Sequence, residues 1–248
     1  KTVIIADTGV ITKSWIDALE FDMADAGYQY LFHITNNVYG VSYQGTSADG
    51  YLCTMTIDND GSLSDTILDS LEFDTFDNAW CAPVIPVSGD YYLIVYPTTA
   101  YSGMSQTIEI SSSGDILTLN YEWHNAMGLY MDAIRLGTSE YYLVASQGAD
   151  ADGYFSTIRV SSTDGSIKAL VDTWEHDISD GGYDSIVHVA GDVYAIAYRD
   201  ATRITVFTIN VDDANGDITD GAIDTQLLTY AGYECNMVHV YDTIYAVA

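Results

Sequence analysis

Apolar residues in this chain come in short, nearly unbroken runs, such as YYLIVY at Tyr91–Tyr96 and YAIAY at Tyr194–Tyr198. Runs of this length and composition predict strands covered on both faces. A turn signal recurs between them, a glycine leading into a polar–Ile/Leu alternation: TGVIT (Thr8–Thr12), DGSLS (Asp60–Ser64), SGDIL (Ser113–Leu117), DGSIK (Asp164–Lys168) and NGDIT (Asn215–Thr219). The glycines Gly9, Gly61, Gly114, Gly165 and Gly216 follow one another at 52, 53, 51 and 51 residues. A period held that closely marks a repeat architecture.

Each repeat predicts four strands. Strand A is LFHI (Leu31–Ile34), VIPV (Val84–Val87), AIRL (Ala133–Leu136), IVHV (Ile186–Val189) and MVHV (Met237–Val240). A short turn leads to strand B, for example YYLIVY or YAIAY. Strand C carries TVIIA (Thr2–Ala6), TMTI, TIEI, TIRV and TINV (Thr208–Val211), and the glycine turn opens strand D. A four-stranded sheet apolar on both faces has to be covered on both sides, which radial stacking of blades achieves. The expected fold is therefore all-β: a five-bladed β-propeller with four antiparallel strands per blade. Residues 1–248 form one domain, with repeats at about 9–60, 61–113, 114–164, 165–215, and 216–248 plus 1–8. The chain runs from a C strand to a B strand, so the ring is expected to close by the N-terminal strands C and D pairing with the C-terminal strands A and B. Strand donation between molecules, hence self-association through the open termini, is the other arrangement this order allows.

Composition narrows the partners. Seven Lys and Arg stand against thirty-six Asp and Glu, a net charge of −29. That surface offers no cation cluster for a nucleic-acid backbone and disfavours anionic membranes. No apolar run approaches the roughly 18 residues of a membrane-spanning helix. Cys53, Cys81 and Cys235 are an odd set without metal-ligand spacing, expected as free, largely buried thiols. The chain starts at Lys1 rather than Met and is read as a mature or excised form.

Candidate chemistry sits on the longer D–A and B–C loops, since loops on a rigid scaffold carry binding residues. The D–A loops mix carboxylates with aromatic rings and give the candidate ligand-binding residues. These are Asp25 and Tyr28, then Asp77 and Trp80, then Trp123, His124 and Tyr130, then His176, Asp180 and Tyr183, and finally Tyr230 and Tyr233. Aromatic faces with nearby acids suit sugars. Asp150 and Asp152, in ADADG, are weak candidates for calcium, although Asp-Gly is also a standard tight-turn pair. No other cofactor is implied. The repeated Glu20, Glu72, Glu122 and Glu175 are expected to be structural, tying the loop to the next blade. His33, His188 and His239 share one strand-A position. They are read as packing between blades with a hydrogen bond to a neighbouring strand, with a three-His metal site near the axis as the alternative.

The phrases IVHVAGDVYAIAY (Ile186–Tyr198), ADGYFSTIRVSSTDGSI (Ala151–Ile167) and ILDSLEFD (Ile67–Asp74) resemble uncharacterised repeats of large secreted or cell-surface proteins of bacteria and archaea, taken to be propeller modules. The resemblance spans the chain, implies surface display and binding, and supplies no catalytic residue; the fifth repeat departs from it at DTQLLT. Three function classes stand. The leading one is a non-enzymatic extracellular or cell-surface binding and adhesion module for a glycan or another surface protein. The second is a structural unit of a surface layer or filament. The third is a glycosidase-like enzyme, which would need carboxylates converging on the axis.

Overall fold

The computed structural model describes residues 1–5, 15–22, 26–75, 80, 82–98, 102–125, 128–148, 150–201, 203–228 and 235–248, with backbone only for 118–125. Four antiparallel four-stranded sheets dominate. Blade 1 is β1 (Gly27–Thr35), β2 (Val38–Gln44), β3 (Gly50–Thr56) and β4 (Asp69–Asp74). Blade 2 is β5 (Val84–Ser88), β6 (Tyr91–Pro97), β7 (Gly103–Ile110) and β8 (Ile116–Asn125). Blade 3 is β9 (Leu129–Arg135), β10 (Tyr141–Gln147), β11 (Gly153–Val160) and β12 (Ile167–Asp177). Blade 4 is β13 (Gly181–Ala190), β14 (Val193–Asp200), β15 (Arg203–Asn210) and β16 (Asp224–Leu228). A two-stranded sheet follows, β17 (Met237–Tyr241) and β18 (Ile244–Val247).

The predicted strands A to D fall in place in all four blades, each a meander in sequence order. The repeat's turn glycines take the left-handed conformation its tight geometry demands, with φ of 87°, 91°, 69° and 81° at Gly61, Gly114, Gly165 and Gly216. Second strands are buried on both faces, as their unbroken apolar runs predicted: Tyr142, Leu143, Val144 and Ala145 of β10 are all inaccessible. The cores lie between blades. Phe32, Leu52 and Phe73 of blade 1 meet Tyr92, Ile94 and Tyr96 of blade 2. Val95 meets Tyr142 and Met131, and Phe155 meets Ile196 and Phe207, across the next two interfaces.

A repeated pair of polar contacts joins the blades. A strand-D carboxylate accepts a backbone N–H from the following blade: Asp17 from Leu63 at 2.9 Å, Asp69 from Ile116 at 2.8 Å, Asp172 from Ile218 at 2.8 Å. A strand-C threonine donates to the next blade's turn glycine carbonyl, Thr2 to Gly61, Thr54 to Gly114 and Thr157 to Gly216, each at 2.6 Å. The repeated glutamates act differently from expectation. Glu72 and Glu175 hydrogen-bond Tyr51 and Tyr154, their cross-strand partners within the same blade.

The blade count is a correction: the described residues make four complete blades, not five. The material expected for a fifth is β17–β18 packed on blade 4 and the N-terminal residues packed on blade 1, and among the described residues no ladder joins them. The physical reason is local satisfaction. Thr2 exchanges backbone hydrogen bonds with Ile16 and Asp17, at 2.9 and 3.1 Å, and anchors on the Gly61 turn. The four-residue β18 pairs with β17, leaving Ile244 exposed.

Candidate functional site

The first strands β1, β9 and β13 and the start of β17 converge on a central pocket of about 910 Å³. Each of β1, β9 and β13 carries a bulge at its entrance, where two residues face one on the second strand. Tyr28 and Gln29 lie opposite Tyr43, Tyr130 and Met131 opposite Ser146, and Tyr183 and Asp184 opposite Tyr198. The bulged tyrosines have positive φ: 52° at Tyr28, 50° at Tyr130 and 58° at Tyr183. That conformation is rare and strained for a bulky side chain, and bulges of this kind re-aim side chains.

Their rings form an arc with Trp80 from blade 2. Tyr28 stacks on Trp80 at 5.7 Å between centroids, Trp80 lies 6.0 Å from Tyr130, and Tyr130 stacks on Tyr183 at 3.7 Å. The arc follows blades 1 to 4 in order. The Arg199 guanidinium lies 5.0 Å from the Tyr183 ring and pairs with Asp180 at 3.2 Å. Four predicted ligand-binding residues, Tyr28, Trp80, Tyr130 and Tyr183, are thus brought together, with Asp180 beside them.

Others fall elsewhere. His176 is not a loop residue but a core one: its side chain is 1% exposed, stacked on Phe155 at 4.3 Å. It fills the place of Phe21 and Phe73 in other repeats, and like them meets a second-strand tyrosine edge to face. Trp123 and His124 lie on β8 opposite Ser105 and Met104, their side chains outside the described residues. Asp25, Asp77, Tyr230 and Tyr233 are outside the described residues as well. Asp150 and Asp152 flank a turn closed by the Gly148 N–H to Asp152 carbonyl bond, and among the described residues no three metal-ligating side chains gather. His33, His188 and His239 each bond the carbonyl of their own A–B turn, at Asn36, Gly191 and Asp242, 2.8–2.9 Å away. This replaces both the expected bond to a neighbouring strand and the three-His site. Cys53 and Cys235 are free thiols, both pushed up to about 12 by burial; Cys81 is outside the described residues.

Two pocket acids were missed. Asp132 is half-buried in the pocket wall. Its oxygens accept the Ala133 and Ile186 N–H groups, each at 2.8 Å, the second tying blade 3 to blade 4. Burial pushes it up to about 6 against the pull of those two bonds. The Asp184 side chain is fully buried, without a hydrogen bond to either oxygen, and burial followed by the Asp132 charge raises it well above the carboxylate range. His176 Nε2 stands 3.8 Å from Asp184 Oδ1, and neither of its nitrogens is hydrogen-bonded. Burial lowers this imidazole to about 4, so the contact joins two neutral groups rather than an ion pair. The available signal for Asp132 was an acid two residues after the arc aromatic, where the other repeats place Tyr30, Ala82 or Ser185, and for Asp184 an acid directly after it, where they place Gln29, Cys81 or Met131.

Fold and site together define a β-propeller with an aromatic-lined axial pocket. No family model and no curated protein matches the chain. Among solved structures it is similar to an exo-β-1,3-galactanase from Clostridium thermocellum, at 9% identity and a TM-score of 0.55, covering 96% of this chain and 54% of that one. It is similar to Hsv2p of Kluyveromyces lactis, at 9% identity and a TM-score of 0.50 over 90% of this chain and 64% of that one. A periplasmic gluconolactonase from Pseudomonas aeruginosa aligns at 12% identity with a TM-score of 0.41, over 90% and 78% of the two chains. The chain spans about half of the galactanase and less than two thirds of Hsv2p. At these identities the likeness to the galactanase and to Hsv2p shows the fold alone.

Proposed function

We propose that this chain is a non-enzymatic carbohydrate-binding module acting outside the cell, with the axial pocket as its binding site. The observation that carries the reading is the arc Tyr28–Trp80–Tyr130–Tyr183 at the pocket, three of its members aimed by strained bulges repeated in three blades. Extended aromatic faces beside polar groups are what a sugar ring needs, apolar CH surface on the rings and hydroxyls on acceptors. A glycosidase requires two carboxylates facing the bond to be cut. Among the described residues Asp132 is the acid with solvent access in this pocket, and Asp184 is sealed. No described helix is long and apolar enough to cross a membrane.

The test is a glycan array with wild type and Trp80→Ala. Trp80 is half-buried and is the central member of the arc. Selective glycan binding that weakens at least about ten-fold in the variant, roughly 1.4 kcal/mol, with unfolding little changed, supports the reading. A blank array, or binding indifferent to Trp80, sinks it.

A further inference from the structure

The pocket is one-sided in charge. Asp132 is the ionisable carboxylate of its wall that meets solvent, Asp184 behind it being sealed and neutral, while Lys and Arg are absent from its described lining. Arg199 is paired with Asp180, and Arg135 donates to the carbonyls of Val87, Thr138 and Ser139. Each Asp132 oxygen accepts a single N–H, which leaves lone pairs directed at further donors. Arg199 already lies against the Tyr183 ring, so this arc accepts a cation on a face. The chain as a whole, at −29, draws cations toward it.

We propose that the pocket's ligand is a cationic sugar, an amino sugar with a free ammonium, whose charge meets Asp132 while its ring lies on the Tyr28–Trp80–Tyr130–Tyr183 arc. This rests on the carbohydrate reading above and names its ligand class. A neutral sugar would leave the Asp132 carboxylate without a positive partner, whereas an ammonium supplies one. Binding is then linked to protons. The groups facing Asp132 are Tyr30, Asp184 and Cys235, and Asp184 in turn faces His176 and Asp177. None of these is a cation at neutral pH, so an ammonium is bound by ionised Asp132 and releases a proton wherever that group is protonated. With Asp132 titrating at about 6, affinity for a fixed cation falls about ten-fold from pH 7 to pH 5.

The experiment is calorimetry of the whole chain with the disaccharide of glucosamine and with its di-N-acetyl counterpart. Salt is kept near 0.15 M to screen the distant surface charge. The expected result is at least ten-fold tighter binding of the free amine at pH 6, where it is an ammonium, weakening from pH 6 to pH 5 with proton release that scales with buffer ionisation enthalpy, and loss of the preference in Asp132→Asn. Equal or tighter binding of the N-acetylated sugar overturns the cation inference and leaves the carbohydrate reading standing. Failure of both disaccharides, together with a blank array, removes both readings. A preference that survives in Asp132→Asn assigns it to general surface charge and overturns the site. Should that variant unfold, the wild-type pH profile decides, since an affinity that does not fall on acidification contradicts the proposal.

Discussion

Replacing His176 with Phe separates a buried neutral imidazole from a buried ion pair. The substitution restores the residue found at Phe21 and Phe73, which pack on the equivalent tyrosines at 4.9 and 5.0 Å, so the site accommodates it. An unfolded-chain imidazole titrates near 6.5, whereas burial holds His176 at about 4. Between those values the unfolded state carries more protons than the folded one, so this histidine's contribution is lost as pH falls through that window. At 1.36 kcal/mol per pH unit the loss by pH 4 is about 3 kcal/mol. Above pH 6.5 neither state is protonated and the term vanishes. Asp132 works in the opposite sense, because its raised folded value makes the fold more stable as pH drops through about 6. The wild-type curve is therefore a composite, and the informative quantity is the difference between the two proteins. Urea unfolding at pH 7 and pH 4 should show His176→Phe within about 1 kcal/mol of wild type at neutrality and about 3 kcal/mol more stable at pH 4. A difference independent of pH would refute the neutral imidazole. A variant that loses ground in acid would mean that His176 is charged against an ionised Asp184.

Two further substitutions test the scaffold. Asp69→Ala removes the acceptor of the Ile116 and Ser70 N–H groups, and should cost about 1.5–3 kcal/mol in urea unfolding, the range for a charge-assisted bond. Asp69→Asn should recover part of it, and a cost below about 0.5 kcal/mol would show that these bonds do not hold blades together. Gly114→Ala places a Cβ 2.7 Å from Leu68 Cδ1 at a φ of 91°, while Gly89→Ala meets nothing within 4 Å at a φ of 57°. The second should lose about 1–2 kcal/mol from backbone strain and the first clearly more in thermal unfolding. Equal losses would refute the crowding.

The repeat was legible because its period is carried by glycines that only a left-handed turn explains, and the strands because apolar runs report burial on both faces. Tyr28, Trp80, Tyr130 and Tyr183 were legible because one aromatic recurs a few residues ahead of each predicted strand A. What the alternation could not convey is the bulge. An extra residue shifts the register by one, so residues 183 and 185, which a regular strand would put on one face, lose that equivalence. His176 is hidden for a related reason: a polar residue near a strand end reads as a loop residue, and the edge-to-face tyrosine that buries it comes from the second strand of blade 4. The blade count depended on which strands find each other in space. Local bonds at Thr2 and the packing of β18 on β17 answer that, and no periodicity encodes it.

The bulged tyrosines also bear on what the scaffold is for. Left-handed backbone costs an L-residue on the order of 1–2 kcal/mol, so three such positions take a noticeable share of a stability of roughly 5–15 kcal/mol. Asparagine or glycine would relieve the strain at each position, and glycines stand immediately before Tyr28 and Tyr183. The strain is held in place from both sides. The Ile186 N–H to Asp132 bond and the Cys235 thiol to the Tyr183 carbonyl, at 2.6 Å, fix the same segment from neighbouring elements. A regular strand would put residues 28 and 30, 130 and 132, or 183 and 185 on one face. The bulge breaks that equivalence, presenting an aromatic ring at the pocket's end and leaving a different residue for its wall. Under the carbohydrate proposal, the rings shared among blades are the common contact surface. The wall residues Tyr30, Asp132 and Ser185 differ from blade to blade, and under the same proposal they are where selectivity would be set.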